Sequence, residues 1–231
     1  MALYSIKPWF VRRLRRVEDV LVARRVSADA LTFAAVVVSV AAGGAIAAGG
    51  LFGAPMLWLA VPPLVLMRLA LNALDGSVAR RTRTARPFGA ALNEIGDRVS
   101  DAATVGATAF AVGPSLALGA LASCFLASST GVLGQATTGR RDSGGPMGKA
   151  DRAATLAAGA TAGALVGSAL PFAVALLLIG AGGVITAAAR LGRIRRTLRE
   201  RAPRRELLRE GSVDLPAQSD LDEEMLHAFC R

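Results

Sequence analysis

Long uncharged stretches alternate with short basic ones along the chain. No Asp, Glu, Lys or Arg occurs between Asp29 and Arg68, between Asp101 and Arg140, or between Arg152 and Arg190. A bilayer core about 30 Å thick needs roughly 20 apolar residues per helix, so each run has room for two helices and a turn. Turn-forming residues sit near each midpoint: Gly49-Gly50-Leu51-Phe52-Gly53-Ala54-Pro55, then Gly113-Pro114, then Ser168-Ala169-Leu170-Pro171. The pattern predicts an all-α, polytopic membrane protein with six spans, near 31–49, 54–80, 88–112, 115–137, 153–169 and 171–190.

Ahead of the first span, Trp9, Phe10, Leu14, Val17 and Leu21 recur at helical spacing with arginines between them. This predicts an amphipathic helix lying in the membrane interface. The apolar stretch after it is longer than a signal-peptide core, which argues against reading Ala45-Ile46-Ala47 as a cleavage site. Ser27, with Asp29 in the following turn, is placed to cap the first spanning helix. Three regions follow: a juxtamembrane segment 1–30, a six-helix body 31–190, and a charged tail 191–231 that is a solvated segment or, in its basic half, a binder of anionic lipid.

Composition sharpens this picture. Hydrophobic residues make up 53% of the chain, which excludes a disordered tail and most soluble enzymes. The net charge of +10 comes from 27 Lys and Arg against 17 Asp and Glu, and only Lys7 and Lys149 are lysines. These cations lie in blocks between apolar runs rather than across a soluble face, so the charge points to a membrane and to no nucleic acid. Every charged connection falls on one side of a six-span bundle, which predicts both termini in the cytoplasm of a bacterium's inner membrane. The abundance of Arg, Ala and Gly is that of a high-GC genome. Cys124 and Cys230 form no disulfide framework, and His227, the single histidine, lies in the tail and supports no zinc site.

Ionisable residues within spans mark function by default, and they concentrate in RLALNALDGSVARRTRTARPFGAALNEIGDRVSD, Arg68 to Asp101. Asn72, Asp75 and Ala79 share a helical face, and Asn93, Asp97 and Asp101 share another on the next helix. Converging, these faces make a cluster of oxygen ligands suited to Mg²⁺ or Mn²⁺. Gly76 and Gly89 would admit a ligand or a neighbouring backbone, and Arg80 would face phosphate oxygens. Phosphoryl transfer needs such a set, and a structural salt-bridge network fits the spacing equally well.

The segment resembles the signature of the CDP-alcohol phosphatidyltransferases, D-x2-D-G-x2-A-R-x8-G-x3-D-x3-D. Here it reads Asn72-x2-Asp75-Gly76-x2-Ala79-Arg80-x8-Gly89-x3-Asn93-x3-Asp97. The resemblance extends to the six-helix layout, the amphipathic start and the VSADALT opening of the first span. It implies transfer of a phosphatidyl group from a CDP-alcohol, CDP-diacylglycerol above all, to a small alcohol acceptor, with CMP released in phospholipid synthesis. It further implies a pair of divalent ions, Mg²⁺ or Mn²⁺, held by Asn72, Asp75, Asn93 and Asp97, with Asp97 also as general base. Gly76, Ala79, Arg80 and Gly89 would line the nucleotide site, and a homodimer is implied. Two family aspartates are Asn72 and Asn93 here, leaving two negative charges where the signature has four; Glu94 and Asp101 stand close enough in sequence to restore them. This points to a divergent bacterial branch.

The fourth connection, GRRDSGGPMGKADRA, carries Arg140, Arg141, Lys149 and Arg152 among glycines. It suits an anionic acceptor or phosphate, and equally a topology-setting loop. The alternatives to a transferase are an inactive paralogue, a small transporter or a scaffold. A transporter would place its polar site at mid-membrane between repeats, and no repeat is evident. The acceptor alcohol is not legible.

Overall fold

The computed structural model describes the backbone of residues 14–139, 142 and 144–210, with side chains as far as residue 200. The described residues are helical, with no strand among them. The order is α1 (Arg15–Ala23), α2 (Ala28–Leu51), a 3₁₀ turn (Pro55–Ala60) leading into α3 (Val61–Arg81), α4 (Pro87–Ala107), the short α5 (Ala109–Val112), α6 (Pro114–Thr138), α7 (Lys149–Val166) and α8 (Leu170–Glu210). Among the described residues, those from Leu191 to Glu210 belong to a second unit and are helical.

Local chemistry sets the helix ends. Ser27 is extended and its side chain accepts the Ala30 amide at 3.2 Å, so α2 starts at Ala28. Pro55, Pro87 and Pro114 open their helical segments, where a missing N–H leaves no bond unmade. Gly53 (φ 59°) and Gly113 (φ 93°) take the positive-φ conformations that turn the chain at two of the anticipated breaks, and Gly167 (φ 68°) does so one residue before the third.

Among the described residues, four helical segments are long and apolar enough to cross a membrane: Ala28–Leu51, Pro55–Arg81, Pro114–Thr138 and Leu170–Glu200. Helices α4 and α7 occupy the other two expected span positions and carry the buried charges described below. Helix α1 forms within the expected amphipathic segment; Leu21 and Val22 pack toward Leu31, Leu74 and Val78, whereas Val17 faces outward. Trp9 and Phe10 lie outside the described residues.

Helix α2 packs against both α3 and α4. A Cβ built on its Gly43 would lie 2.9 Å from the carbonyl carbon of Ala103 on α4, so only glycine permits this approach. The apolar core is centred on Trp58, Phe172, Leu176, Ile179 and Leu156. Trp58 meets Phe172 edge-on, with ring centroids 4.9 Å apart, and donates its indole N–H to the Ile46 carbonyl at 3.1 Å. Ile46 lies fourteen residues along α2 from Thr32, about 20 Å at 1.5 Å per residue. The dry core and the polar cluster therefore sit at different depths of the bundle.

Candidate functional site

Helices α3 and α4 run antiparallel, as their side-chain register shows: Arg68 meets Asp101, Asn72 meets Asp97, and Asp75 meets Asn93. Helix α2 contributes Thr32, α6 contributes Ser128, and the first turn of α7 contributes Lys149 and Arg152. Asp75, Asp97 and Asp101 are all buried.

The two halves of the motif bond crosswise. Asn72 Nδ2 donates to Asp97 Oδ1 at 3.0 Å, and Asn93 Nδ2 donates to Asp75 Oδ2 at 2.6 Å. An ionised carboxylate only accepts, so each amide must turn its NH₂, not its carbonyl oxygen, toward its partner. Asp75 Oδ2 also accepts the Thr32 hydroxyl at 3.0 Å, and Oδ1 accepts the Gly76 amide at 2.5 Å. The Lys149 ammonium donates to Asp97 Oδ2. Every oxygen of these two carboxylates is engaged.

Asp101 is clasped by two guanidiniums, Arg68 Nη2 at 2.9 Å and Arg152 Nη2 at 2.8 Å. Arg152 also reaches Ser128 Oγ at 3.4 Å. Glu94 pairs with Arg98 one turn along α4. Three carboxylates, Asp75, Asp97 and Asp101, thus face three cations, Arg68, Lys149 and Arg152, and the cluster is neutral. Crowding by the surrounding helices works against the charged form of the Lys149 ammonium, opposed most by the charge of Glu94.

Of the expected nucleotide-site residues, Gly76 is placed so that a Cβ there would meet Arg80 Nη1 at 3.3 Å, and Arg80 folds back over it exposed to solvent. Ala79 is half-buried on the same helix. Gly89 lies at the start of α4 beside the exposed Arg86–Asp29 ion pair. In the fourth connection, Arg152 is directed at Asp101 and Lys149 at Asp97, so both face the α4 carboxylates rather than an open anion site. Arg140 and Arg141 lie outside the described residues.

A pair of divalent ions does not fit this donor set. Such a pair carries four positive charges, and the matched positions offer two carboxylates, of which Asp97 already holds an ammonium. The expected compensation is not available, because Asp101 is taken by Arg68 and Arg152 and Glu94 by Arg98. Among the described residues no three His, Cys, Asp or Glu side chains converge as ligands.

Three partners escaped the sequence reading: Thr32, Arg68 and Ser128. Arg68 had a visible signal, a lone cation ending an apolar run, which implies a buried carboxylate partner. Thr32 and Ser128 had none, since hydroxyls are ordinary in spanning helices.

Comparison with known proteins defines first a fold and then a family. The chain superimposes on Mycobacterium tuberculosis phosphatidylinositol phosphate synthase (PgsA1) with CDP-DAG bound at a TM-score of 0.66, with 22% identity over 79% of this chain and 94% of that one. The same enzyme in complex with manganese and citrate gives 0.63, with 23% identity over 78% and 87%. This is the fold of that synthase. No family model matches the sequence. The inner membrane protein YnbA of Escherichia coli is 38% identical over 155 residues, 66% of this chain and 76% of that protein, and the chain belongs to the same family.

Proposed function

We propose that the chain is an inner-membrane transferase that moves a phosphoalcohol group from a CDP-alcohol, CDP-diacylglycerol foremost, to an acceptor alcohol. The observation that carries this is the crosswise set Asn72, Asp75, Asn93 and Asp97, on two helices in signature order, with Lys149 brought against it from 52 residues away. The synthase fold, with CDP-DAG bound in one neighbour, supports the donor class. The E. coli relative's inner-membrane location supports the compartment. The topology adopted is six spans with the site near the cytoplasmic face.

In this reading the donor's phosphoanhydride lies over the cluster, with Arg80 and Lys149 facing its oxygens. Lys149 has a flexible stem and a side chain 38% exposed, so its ammonium can pass from Asp97 to phosphate. That exchange frees Asp97 Oδ2. Asp97 then takes the proton of the acceptor hydroxyl as the hydroxyl oxygen bonds to the lipid-bearing phosphorus. The bond from that phosphorus to the CMP oxygen breaks, and CMP leaves. Asn72 holds Asp97 in place through Oδ1, while Asp75, hydrogen-bonded by Thr32, Asn93 and Gly76, supports the facing wall.

A second reading, binding of the nucleotide lipid without turnover, is favoured by the engagement of all four oxygens of Asp75 and Asp97. The deciding experiment incubates purified protein with CDP-diacylglycerol and a panel of alcohols and measures CMP. The transferase reading expects release that requires one acceptor and falls about a hundredfold or more in Asp97→Asn. Binding of CDP-diacylglycerol with no release from any alcohol would establish the second reading.

A further inference from the structure

We infer that the Lys149 ammonium takes the place of divalent metal in this site, so that the α3–α4 cluster of the native chain binds no Mg²⁺ or Mn²⁺. The inference deepens the proposed function and rests on it only for the identity of the phosphate ligand.

Three independent placements converge on it. First, Asn72 and Asn93 bring amides where a divalent ion would need charge: each is neutral and donates its NH₂ to the facing carboxylate. Second, Lys149 opens α7 and its ammonium lies on Asp97 Oδ2, so a compact monovalent charge already occupies one face of the carboxylate pair. Third, the remaining carboxylate of the α4 face is removed from any ligand role: Asp101 bonds Arg68 and Arg152, both themselves buried. The two amides and the lysine complement one another: with them the pair of carboxylates forms an internally bonded set.

The positions of the two partners show how the ammonium can still serve a ligand. Asp97 is almost fully enclosed, at 1% side-chain exposure, whereas Lys149 is more than one-third exposed. The exposed member of the pair is thus the cation and the enclosed member the anion. A phosphoanhydride approaching the cluster meets a cation, and the charge that a metal would bring with the ligand is supplied by the protein.

The test titrates Mn²⁺ into the full chain, stripped with EDTA in a neutral maltoside, without nucleotide or lipid donor, following the free-ion paramagnetic resonance signal and the heat of binding. The wild type is expected to leave the free-ion signal at its protein-free intensity through the micromolar range, and to unfold at the same temperature in EDTA and in Mn²⁺. The variant Asn72→Asp/Asn93→Asp/Lys149→Ala is expected to take up Mn²⁺ about tenfold more tightly or better. Micromolar uptake by the wild type that disappears in Asp75→Asn or Asp97→Asn would overturn the inference; uptake unchanged in those variants lies elsewhere and leaves the cluster metal-free, as inferred. Should the triple variant not fold, the wild-type titration decides alone. Because no donor is present, metal uptake would sink this inference with the transferase reading intact, and absence of CMP release would sink that reading with the metal result intact.

Discussion

Asp97 and Asp101 are one helical turn apart, both buried, and have opposite work. Asp101 bridges Arg68 and Arg152, whose remaining surroundings include buried Nε groups without a hydrogen-bond partner. Removing its charge takes the carboxylate from Arg152 and leaves Arg68 only the more distant Asp97, at 3.9 Å, in a region of low dielectric. Asp101→Asn is therefore expected to cost about 3–5 kcal/mol, read as a large fall in unfolding temperature in detergent. Glu94→Gln breaks a part-buried pair with Arg98 on the same helix and weakens the support that Glu94 gives the Lys149 charge, and should cost about 0.5 kcal/mol. Equal losses from the two would show that Asp101 is not the structural carboxylate. Lys149→Met tests the opposite kind of residue. It removes an ammonium from the mouth of the cluster and should weaken CDP-diacylglycerol binding about tenfold or more, measured by equilibrium binding in nanodiscs, while protein recovery stays near normal.

At the scale of elements, α2 is the spine on which α3 and α4 are set. Its glycines divide sharply by what a methyl group would meet. At Gly43 an added Cβ collides with the backbone of Ala103, which cannot move aside, whereas at Gly44 nothing lies within 4 Å. Gly43→Ala should cost about 1–3 kcal/mol by pushing α4 away from α2, and Gly44→Ala should change stability by less than about 1 kcal/mol. Comparing the two unfolding temperatures checks the close approach directly. Such an approach is invisible in sequence, where Gly43 and Gly44 are adjacent and alike. The helix ends were legible because their causes are local: Ser27 caps, Pro114 starts, and Gly113 turns within a few residues. The convergence of Asn72, Asp75, Asn93 and Asp97 was legible for the same reason, since spacings of three and four put them on two faces. What each carboxylate bonds to was not. Lys149 reaches Asp97 across 52 positions and Arg152 reaches Asp101 across 51, and no local rule fixes pairings at that separation. The sequence offered Asp101 and Glu94 as spare carboxylates, but proximity in sequence says nothing of which cations arrive from α3 and α7, and here they pair with Arg68, Arg152 and Arg98.

For the whole molecule, the distribution of charge predicts how it sits in a bilayer. The turns at Phe52–Ala54, at Gly113 and at Gly167–Ala169 carry no charge, whereas the α3–α4 connection carries Arg83 and Arg86, and α7 opens on Lys149 and Arg152. Positive residues stay on the cytoplasmic side during insertion, so the first set belongs outside and the second inside. The buried cluster obeys the same logic. Helices α4 and α7 are less apolar than their neighbours because they carry Asp97, Asp101 and Arg152, but these charges meet one another and leave no net charge to be held at membrane depth. Cysteine labelling checks the orientation. In a Cys230→Ser background, with Cys124 fully buried, a membrane-impermeant maleimide should modify Phe52→Cys in intact spheroplasts and Arg83→Cys only after permeabilisation. Both positions are exposed, so lack of reaction cannot be put down to burial. The reverse pattern would place the cluster on the outer side, and with it would fall the assignment of Asp97 and Lys149 to a donor and acceptor met at the cytoplasmic face.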